Sequence, residues 1–537
     1  MMLGPLSSRS RRRTAFSGRR GVALTVCALG VALSVAAPRI QAQQSTSREP
    51  YPGWDAYVNQ ALATWKVPGA AIAIVRNDSV IYAKGYGVRQ VGATQPVDER
   101  TVFAIGSSSK AFTAAAAAML ADEKKLSLDG KASLYFPGFQ LADPYASREL
   151  TVRDLLSHRS GLARGEMVWY GSGYDRDEIV RRVRFLQPTW SFRSQFGYQN
   201  IMYIAAGQIV AHTANTTWDD FVRDRLLVPL GMTSSTTSIR QIVGGQNLAS
   251  PHADVEGVIK TVDWRNIDNA GPAGSINSTA LDMAQWVRLQ LARGTIGGKR
   301  LISEKMIDEM HTPHTVIPID TGSRRTNPYT HLQAYGLGWF LQDYRGKLVV
   351  QHGGNVDGMT ALVGMMPEEQ VGMVILTNMN GSGMPMTLMN RAFDLHLGVT
   401  PEDWSGKAFA RSEAARLRGR EALKKLEASR VPNTKPSLSL DKYAGVYSDS
   451  LLGDVTVRDS AGKLVLSFGP NWSGTLDHWH FDTFRTRFGT PVLGPIPVQF
   501  RLSPSATVDE LQIDLAGPAT FRRRPAATTA SGRPELR

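Results

Sequence analysis

Residues 111–120 read Ala-Phe-Thr-Ala-Ala-Ala-Ala-Ala-Met-Leu, ten positions without a charge. Ala and Leu are strong helix formers, and a helix with no polar face has to be buried. The residues just ahead of it are Gly106, Ser107, Ser108, Ser109 and Lys110. Ser and Lys three apart on a helix share one face. A serine hydroxyl is a weak nucleophile until a base takes its proton, and a lysine held in an apolar site can lose its own proton and serve as that base. The helix N-terminus adds partial positive charge near the attacking oxygen. The same residues also read as a serine cap with Lys110 reaching solvent, and the spacing alone does not choose between the two.

Two further stretches bear on the choice. One is Gln195-Phe-Gly-Tyr198-Gln-Asn200. The other is Gln351-His352-Gly353-Gly354-Asn355, which directly follows the strand-like run Lys347-Leu-Val-Val. In this order the three motifs resemble Ser-x-x-Lys, Tyr-x-Asn and His-x-Gly of the serine beta-lactamase and penicillin-binding protein superfamily. Within it the pattern is similar to the branch of class C beta-lactamases, D-alanyl-D-alanine carboxypeptidases and esterases. Five flanking blocks carry the same resemblance: residues 67–75, 85–87, 155–162, 229–232 and 273–280.

The resemblance implies an α+β fold, an antiparallel sheet flanked by helices plus an all-helical lobe, with the active site between the two. It implies Ser107 as nucleophile and Lys110 as its proton partner. Tyr198 would lie on the other side of the serine oxygen and share the base role, its phenolate favoured by the neighbouring ammonium. Asn200 would bond Lys110 or substrate. Gly353 and Gly354 would let substrate approach the strand, and the NH groups of Asn355 and Ser107 would form an oxyanion hole. His352 replaces a permanently charged lysine with a group that ordinarily titrates near neutrality. That favours ester, amide or peptide substrates over a dedicated carboxylate-binding beta-lactamase. The implied activity is an exported serine acyl hydrolase. A true beta-lactamase or carboxypeptidase, and a catalytically weak binding protein on the same fold, are the alternatives. No cofactor and no metal are expected, and the partner is a small-molecule or peptide substrate.

The net charge of +14 suggests nucleic acid, but half of it comes from seven arginines in residues 1–42, where no acidic residue occurs. A basic surface of the remaining size is ordinarily solvated, so no nucleic-acid partner is expected. Residues 1–42 read as a signal peptide: a basic segment ending at Arg19-Arg20, then an apolar run, then small residues. With that segment removed, no stable membrane span is expected, and the location is periplasmic or extracellular. The only cysteine, Cys27, lies inside the apolar run, so a mature chain would contain no disulfide.

The organisation continues with a polar segment, 43–53, and the hydrolase-like domain, 54–397. Residues 54–65 read as an amphipathic helix. Residues 70–75 and 80–83 read as two strands joined by a turn, and 348–351, 360–365 and 371–376 as strands of the same sheet. In a helical linker, 398–436, residues 404–430 are rich in Ala, Arg, Lys and Glu, with Leu417, Leu423 and Leu426 as the few apolar anchors. From 437 to 522 the period shortens to two, as in a small β-barrel-like domain. Residues 523–537 read as a disordered tail. His158 reads as an ordering residue at a helix-to-loop junction, and His478 and His480 as a half-buried strand pair. His311 and His314 have helical spacing but enclose Pro313, and no zinc-site motif occurs.

Overall fold

The computed structural model describes residues 48–525, apart from Val243 and residues 490–493 and 515–516. The signal-peptide reading, and the tail from residue 526, lie outside the described residues. The chain opens with helix α1 (Trp54–Trp65) and a hairpin of β1 (Gly69–Arg76) and β2 (Ser79–Gly87). Asn77 and Asp78 both take positive φ, 49° and 60°. This is the turn whose twist matches two flanking strands.

The sheet is completed after a long helical excursion. Its later strands are β3 (Thr315–Val316), β4 (Gln333–Tyr335), β5 (Phe340–Tyr344), β6 (Lys347–Val356), β7 (Met359–Met366) and β8 (Val371–Thr377). The order is β2-β1-β8-β7-β6-β5-β4-β3, with antiparallel neighbours throughout. The N-terminal hairpin therefore pairs with the last strand to return, Ala70 opposite Thr377 and Ile72 opposite Ile375. β1 and β8 are unbroken apolar runs because both sheet faces are covered. Ala71, Ala73, Val374 and Leu376 join the core under the helical lobe, and Ile72, Ile74, Met373 and Ile375 join a second core with α1.

The charge-free run becomes α2 (Lys110–Asp122), buried from Lys110 to Leu120. It packs on α3 (Asn200–Ala214) and, through Phe112 stacked on Trp286 at 4.0 Å, on α4 (Ala280–Leu291). The second core is closed by α5 (Met384–His396) and the start of α6 (Trp404–Ala428). Beyond Trp404 and Ser405, α6 buries nothing, and Leu417, Leu423 and Leu426 are exposed.

A second sheet follows: β9 (Gly445–Asp449), β10 (Gly453–Ser460), β11 (Lys463–Phe468), β12 (Trp472–His480), β13 (Thr483–Thr486), β14 (Ile496–Leu502), β15 (Val508–Asp514) and β16 (Pro518–Arg523). These eight close into an antiparallel barrel. Tyr447, Val457, Leu466, Phe484, Phe500, Leu511 and Phe521 fill its interior. The tail begins later than the sequence suggests. Arg523 lies in β16 and donates to Ala444 O at 2.6 Å, and the Arg524 amide donates to Val446 O at 2.8 Å. Tail and barrel divide where the last strand runs out of backbone partners.

Phe112→Ala would empty a fully buried ring site against Trp286. Losses of this kind typically cost about 3–5 kcal/mol. Thermal or urea unfolding should show a clearly lowered midpoint, and an unchanged one would mean the stack contributes nothing.

Candidate active site

Ser107 lies one turn earlier than a simple helix start would put it. Gly106–Ser109 form a 3₁₀ turn that runs into α2 at Lys110. Side chains at i and i+3 eclipse in such a turn, which brings Lys110 Nζ to 3.0 Å from Ser107 Oγ. The neighbouring serines face elsewhere. Ser108 Oγ donates to His352 O on β6 at 3.0 Å, and Ser109 Oγ accepts from the Ile276 amide at 3.1 Å. They pin the turn to the sheet on one side and to the 273–280 block on the other.

Lys110 is fully buried. Besides Ser107, its amine meets Asn200 Oδ1 at 2.6 Å and Ala273 O at 2.8 Å. The rings of Tyr198 and Tyr203 lie 4.9 and 5.4 Å from it. Burial drives the amine well below its ordinary pKa; the Glu166 carboxylate opposes this and Arg164 adds to it. A neutral amine has two N–H donors and one lone pair. Asn200 and Ala273 can take the donors, which leaves the lone pair for the Ser107 hydroxyl.

Tyr198 is half-buried, and its hydroxyl bonds Ser107. Its shift runs opposite to the expected phenolate. Burial raises its pKa, against the pull of Ser107 and Arg164. With Lys110 depleted of charge, little ammonium remains to favour a phenolate. The shift of the amine favours a free lone pair, and that of the phenol favours its bound proton.

His352 also departs from expectation. It is 1% exposed, and burial first, then Lys110, push its pKa down to about 3. Nδ1 donates to Gly353 O at 2.6 Å, which leaves Nε2 to accept the Tyr335 hydroxyl at 2.9 Å. The ring reaches the pocket as a neutral imidazole and carries no titrating charge near pH 7. Gly354 is corrected as well. A Cβ there would stand 1.8 Å from Ile105 O and 2.9 Å from the Ser107 nitrogen. The chain's own turn occupies the space expected for substrate, and Gly353 faces the pocket instead. A Cβ on Gly106 would likewise lie 2.6 Å from the Asn355 nitrogen. The backbones of Ser107 and Asn355 therefore come together at the mouth of the site, Asn355 exposed and lining the pocket.

His158 orders its junction as expected. It takes φ 57° and accepts the Gln199 amide on Nδ1 at 3.1 Å, beside the Tyr198 ring. His311 and His314 turn to separate partners, Gln290 Oε1 and Glu309 O. His478 and His480 are half-buried on β12.

Ser107, Tyr198, Asn200, His352, Gly353 and Asn355 line a cavity of about 570 Å³. Its walls include residues with no sequence signal: Arg164, Glu166, Trp169 and Phe340. Glu166 Oε2 accepts from Asn200 Nδ2 at 2.9 Å, and Oε1 accepts from Arg164 Nε at 2.9 Å. A larger depression of about 1120 Å³, bordered by Asp175, Arg176, Asp219 and Asp268, is lined by neither Ser107 nor Lys110. Its Arg176 is already paired with Asp219. Ser107 opens onto the smaller cavity.

A family model described as Beta-lactamase matches residues 54–397. The chain belongs to the Beta-lactamase family. A second model, a domain of unknown function (DUF3471), matches residues 429–526. The chain is 28% identical over 491 residues to the Unguisins hydrolase ungD of Aspergillus violaceofuscus, covering 83% of this chain and 85% of that relative. It is 30% identical over 319 residues to Penicillin-binding protein 4 of Amycolatopsis lactamdurans, covering 58% and 81%. Among solved structures, the octameric penicillin-binding protein homologue from Pyrococcus abyssi shares the fold, with a TM-score of 0.59 and 22% identity. That likeness covers 87% of this chain and 99% of the other.

Two expectations follow. Gly354→Ala should push the Ser107 turn aside and slow covalent labelling of the serine about 10²-fold, the size of effect an ångström-scale misplacement produces. Wild-type labelling would show that the turn tolerates the intrusion. His352 titrates at about 3 in the fold and near 6.5 in an unfolded chain. Between those values the unfolded state binds more protons, so its contribution to stability is complete above about pH 6.5 and declines as pH falls toward 3. His352→Gln should flatten the acid side of the stability profile, and a profile that keeps its slope would assign the loss to other groups.

Proposed function

We propose that this protein is an exported serine acyl hydrolase that opens neutral amide, peptide or ester bonds through an acyl-enzyme on Ser107. The observation that carries the reading is the buried Lys110 amine, 3.0 Å from Ser107 Oγ and anchored by Asn200 and Ala273. A neutral amine in that position accepts the hydroxyl proton as Oγ bonds to the carbonyl carbon. The Ser107 and Asn355 NH groups receive the resulting oxyanion. Tyr198, protonated and bonded to Ser107, hands a proton to the leaving group as the carbonyl bond breaks. Lys110 then passes the proton it took from Ser107 to the Tyr198 phenolate, which resets the pair. Water then attacks the acyl-enzyme by the same route and releases the acid.

Neutral substrates are favoured because the pocket offers no spare cation. Arg164 is paired with Glu166, and His352 is uncharged. Trp169, Phe196, Phe340, Ile267 and Met386 offer apolar surface to an acyl group, and Gln333 and Gln351 offer carboxamides to a peptide-like one. A relative named for hydrolysing unguisins, similar over 83% of this chain, supports the reading. Export rests on the basic and apolar pattern of residues 1–42.

Ser107→Ala should abolish labelling by a fluorophosphonate and lower kcat about 10³-fold or more with the fold intact. Labelling that survives would move the nucleophile elsewhere. Lys110→Ala, Tyr198→Phe and their double variant should all be similarly slow, since the two groups serve one proton transfer. Fully multiplicative losses would separate their roles. The ratio of kcat/KM for an acidic ester to that for its neutral analogue should stay constant from about pH 5.5 to 8, a span bracketing the ordinary imidazole value. A ratio that rises as pH falls would restore a charge to His352.

A further inference from the structure

Residues 163–176 form one wall of the active-site cavity and also the contact with the barrel. Only a three-residue 3₁₀ turn, Glu166–Val168, gives the segment regular structure. Facing the cavity are Arg164, Glu166 and Trp169. On the other side the barrel holds it. The Trp472 indole, 1% exposed, donates to Tyr170 O at 3.3 Å, and Asn471 Nδ2 donates to Gly171 O at 3.0 Å. A Cβ on Gly171 would stand 2.3 Å from the Trp472 indole nitrogen, and the glycine's φ of 69° is itself unfavourable for other residues. The Tyr174 hydroxyl donates to Leu452 O at 3.2 Å. The Arg265 guanidinium lies over the rings of Tyr170 and Trp472, at 5.1 and 5.3 Å, while its Nε donates to Asp357 at 3.0 Å. Tyr170 donates to the same carboxylate oxygen at 2.6 Å.

We propose that the C-terminal barrel is a positioning element of the acylation site: Trp472 and Asn471 fix the Tyr170–Gly171 backbone so that Glu166 meets Asn200 and turns the carboxamide oxygen of Asn200 toward Lys110. This rests on the serine hydrolase reading and deepens it. A primary amide can present either end, but a carboxylate only accepts. Glu166 therefore commands the Asn200 NH₂, and Lys110 receives the oxygen. Glu166 is also the one carboxylate acting on the amine. The other groups around Lys110 are the hydroxyl of Ser107, the rings of Tyr198 and Tyr203, the neutral imidazoles His158 and His352, and the guanidinium of Arg164. Without the Glu166 charge, Arg164 is left unopposed and the protonated amine is disfavoured. A segment of loop could not hold that contact alone. The barrel supplies the rigidity, and the contact reaches the amine through Glu166 and Asn200.

The test uses the full chain and a neutral chromogenic ester, with pH profiles of kcat/KM and the rate of Ser107 labelling by a fluorophosphonate. Glu166→Gln keeps the shape but removes the charge and the fixed polarity. It should slow labelling about tenfold or more, as a misoriented base does, and move the acid limb down by about half a pH unit or more. Asn471→Ala leaves the barrel core untouched and Gly171→Ala presses on Trp472 alone; both should move both readouts in the same direction, by less. An acid limb of Glu166→Gln superimposed on wild type overturns the proposal. So do Gly171→Ala and Asn471→Ala variants that melt like wild type and match it in both readouts. If Gly171→Ala does not fold, Asn471→Ala alone decides by the same criterion. Wild-type protein that fails to label on Ser107 removes the hydrolase reading itself, and this proposal with it, an outcome distinct from labelled variants that keep a wild-type profile.

Discussion

A lysine amine buried without a carboxylate in contact is the constraint around which this molecule is arranged. An ammonium in such surroundings is expensive, and the group responds by giving up its proton. That response is useful only if the amine is held still beside a nucleophile. The alanines of α2 make this possible. They let neighbouring backbone come close: a Cβ on Gly338 would lie 2.8 Å from Ala111 Cα. Ala273 O and Asn200 Oδ1 reach the amine from two further segments. The Ser107 turn and the segments of Asn200 and Ala273 thus converge on one nitrogen, so the fold's core and the site's chemistry are a single packing problem.

The parts legible in the sequence are those where local pattern and tertiary environment agree. Helix α1, the β1–β2 hairpin and strands β7 and β8 follow from apolar runs bounded by turn residues. Barrel strands such as Lys463–Phe468 follow from strict alternation. The His352-Gly-Gly-Asn355 stretch reads as a motif, but its place inside β6 does not show, because glycine and asparagine are poor strand formers. Contact with the Ser107 turn and pairing of Asn355 with Thr360 extend the strand through them. β4 is three residues and β5, Phe-Leu-Gln-Asp-Tyr, has no clean period, so neither announces itself.

The errors at the site share one cause. An ordinary imidazole and a phenolate-leaning tyrosine were reasonable expectations from residue type, but ionisation depends on burial, and burial is a property of segments far apart in the chain. Tyr335, which donates to His352 Nε2, comes from a strand the pattern does not reveal. Glu166 and Arg164 carry no spacing signal at all. Their place depends on Trp472, some three hundred residues later.

The barrel's interior bears on what such an appendage is for. Eight-stranded barrels are wide enough to fill with side chains or to hold one small ligand. Here aromatic rings fill the space: Tyr443 packs on Phe500 at 5.0 Å and Phe484 on Phe500 at 5.6 Å. What the barrel can offer is its outer surface, and that surface meets the hydrolase beside the catalytic pocket. Its tether is anchored as well. Trp404, at the start of α6, donates to Asp394 at 2.8 Å, a fully buried carboxylate that also accepts from Tyr344 and Arg345. Beyond that anchor Phe409 packs edge-on to Trp65 at 5.4 Å, and the rest of α6 is largely exposed until Glu427 pairs with Arg485 at the barrel. A polar helix fixed at both ends acts as a strut, and a strut suits a domain whose contribution is to hold a loop in place.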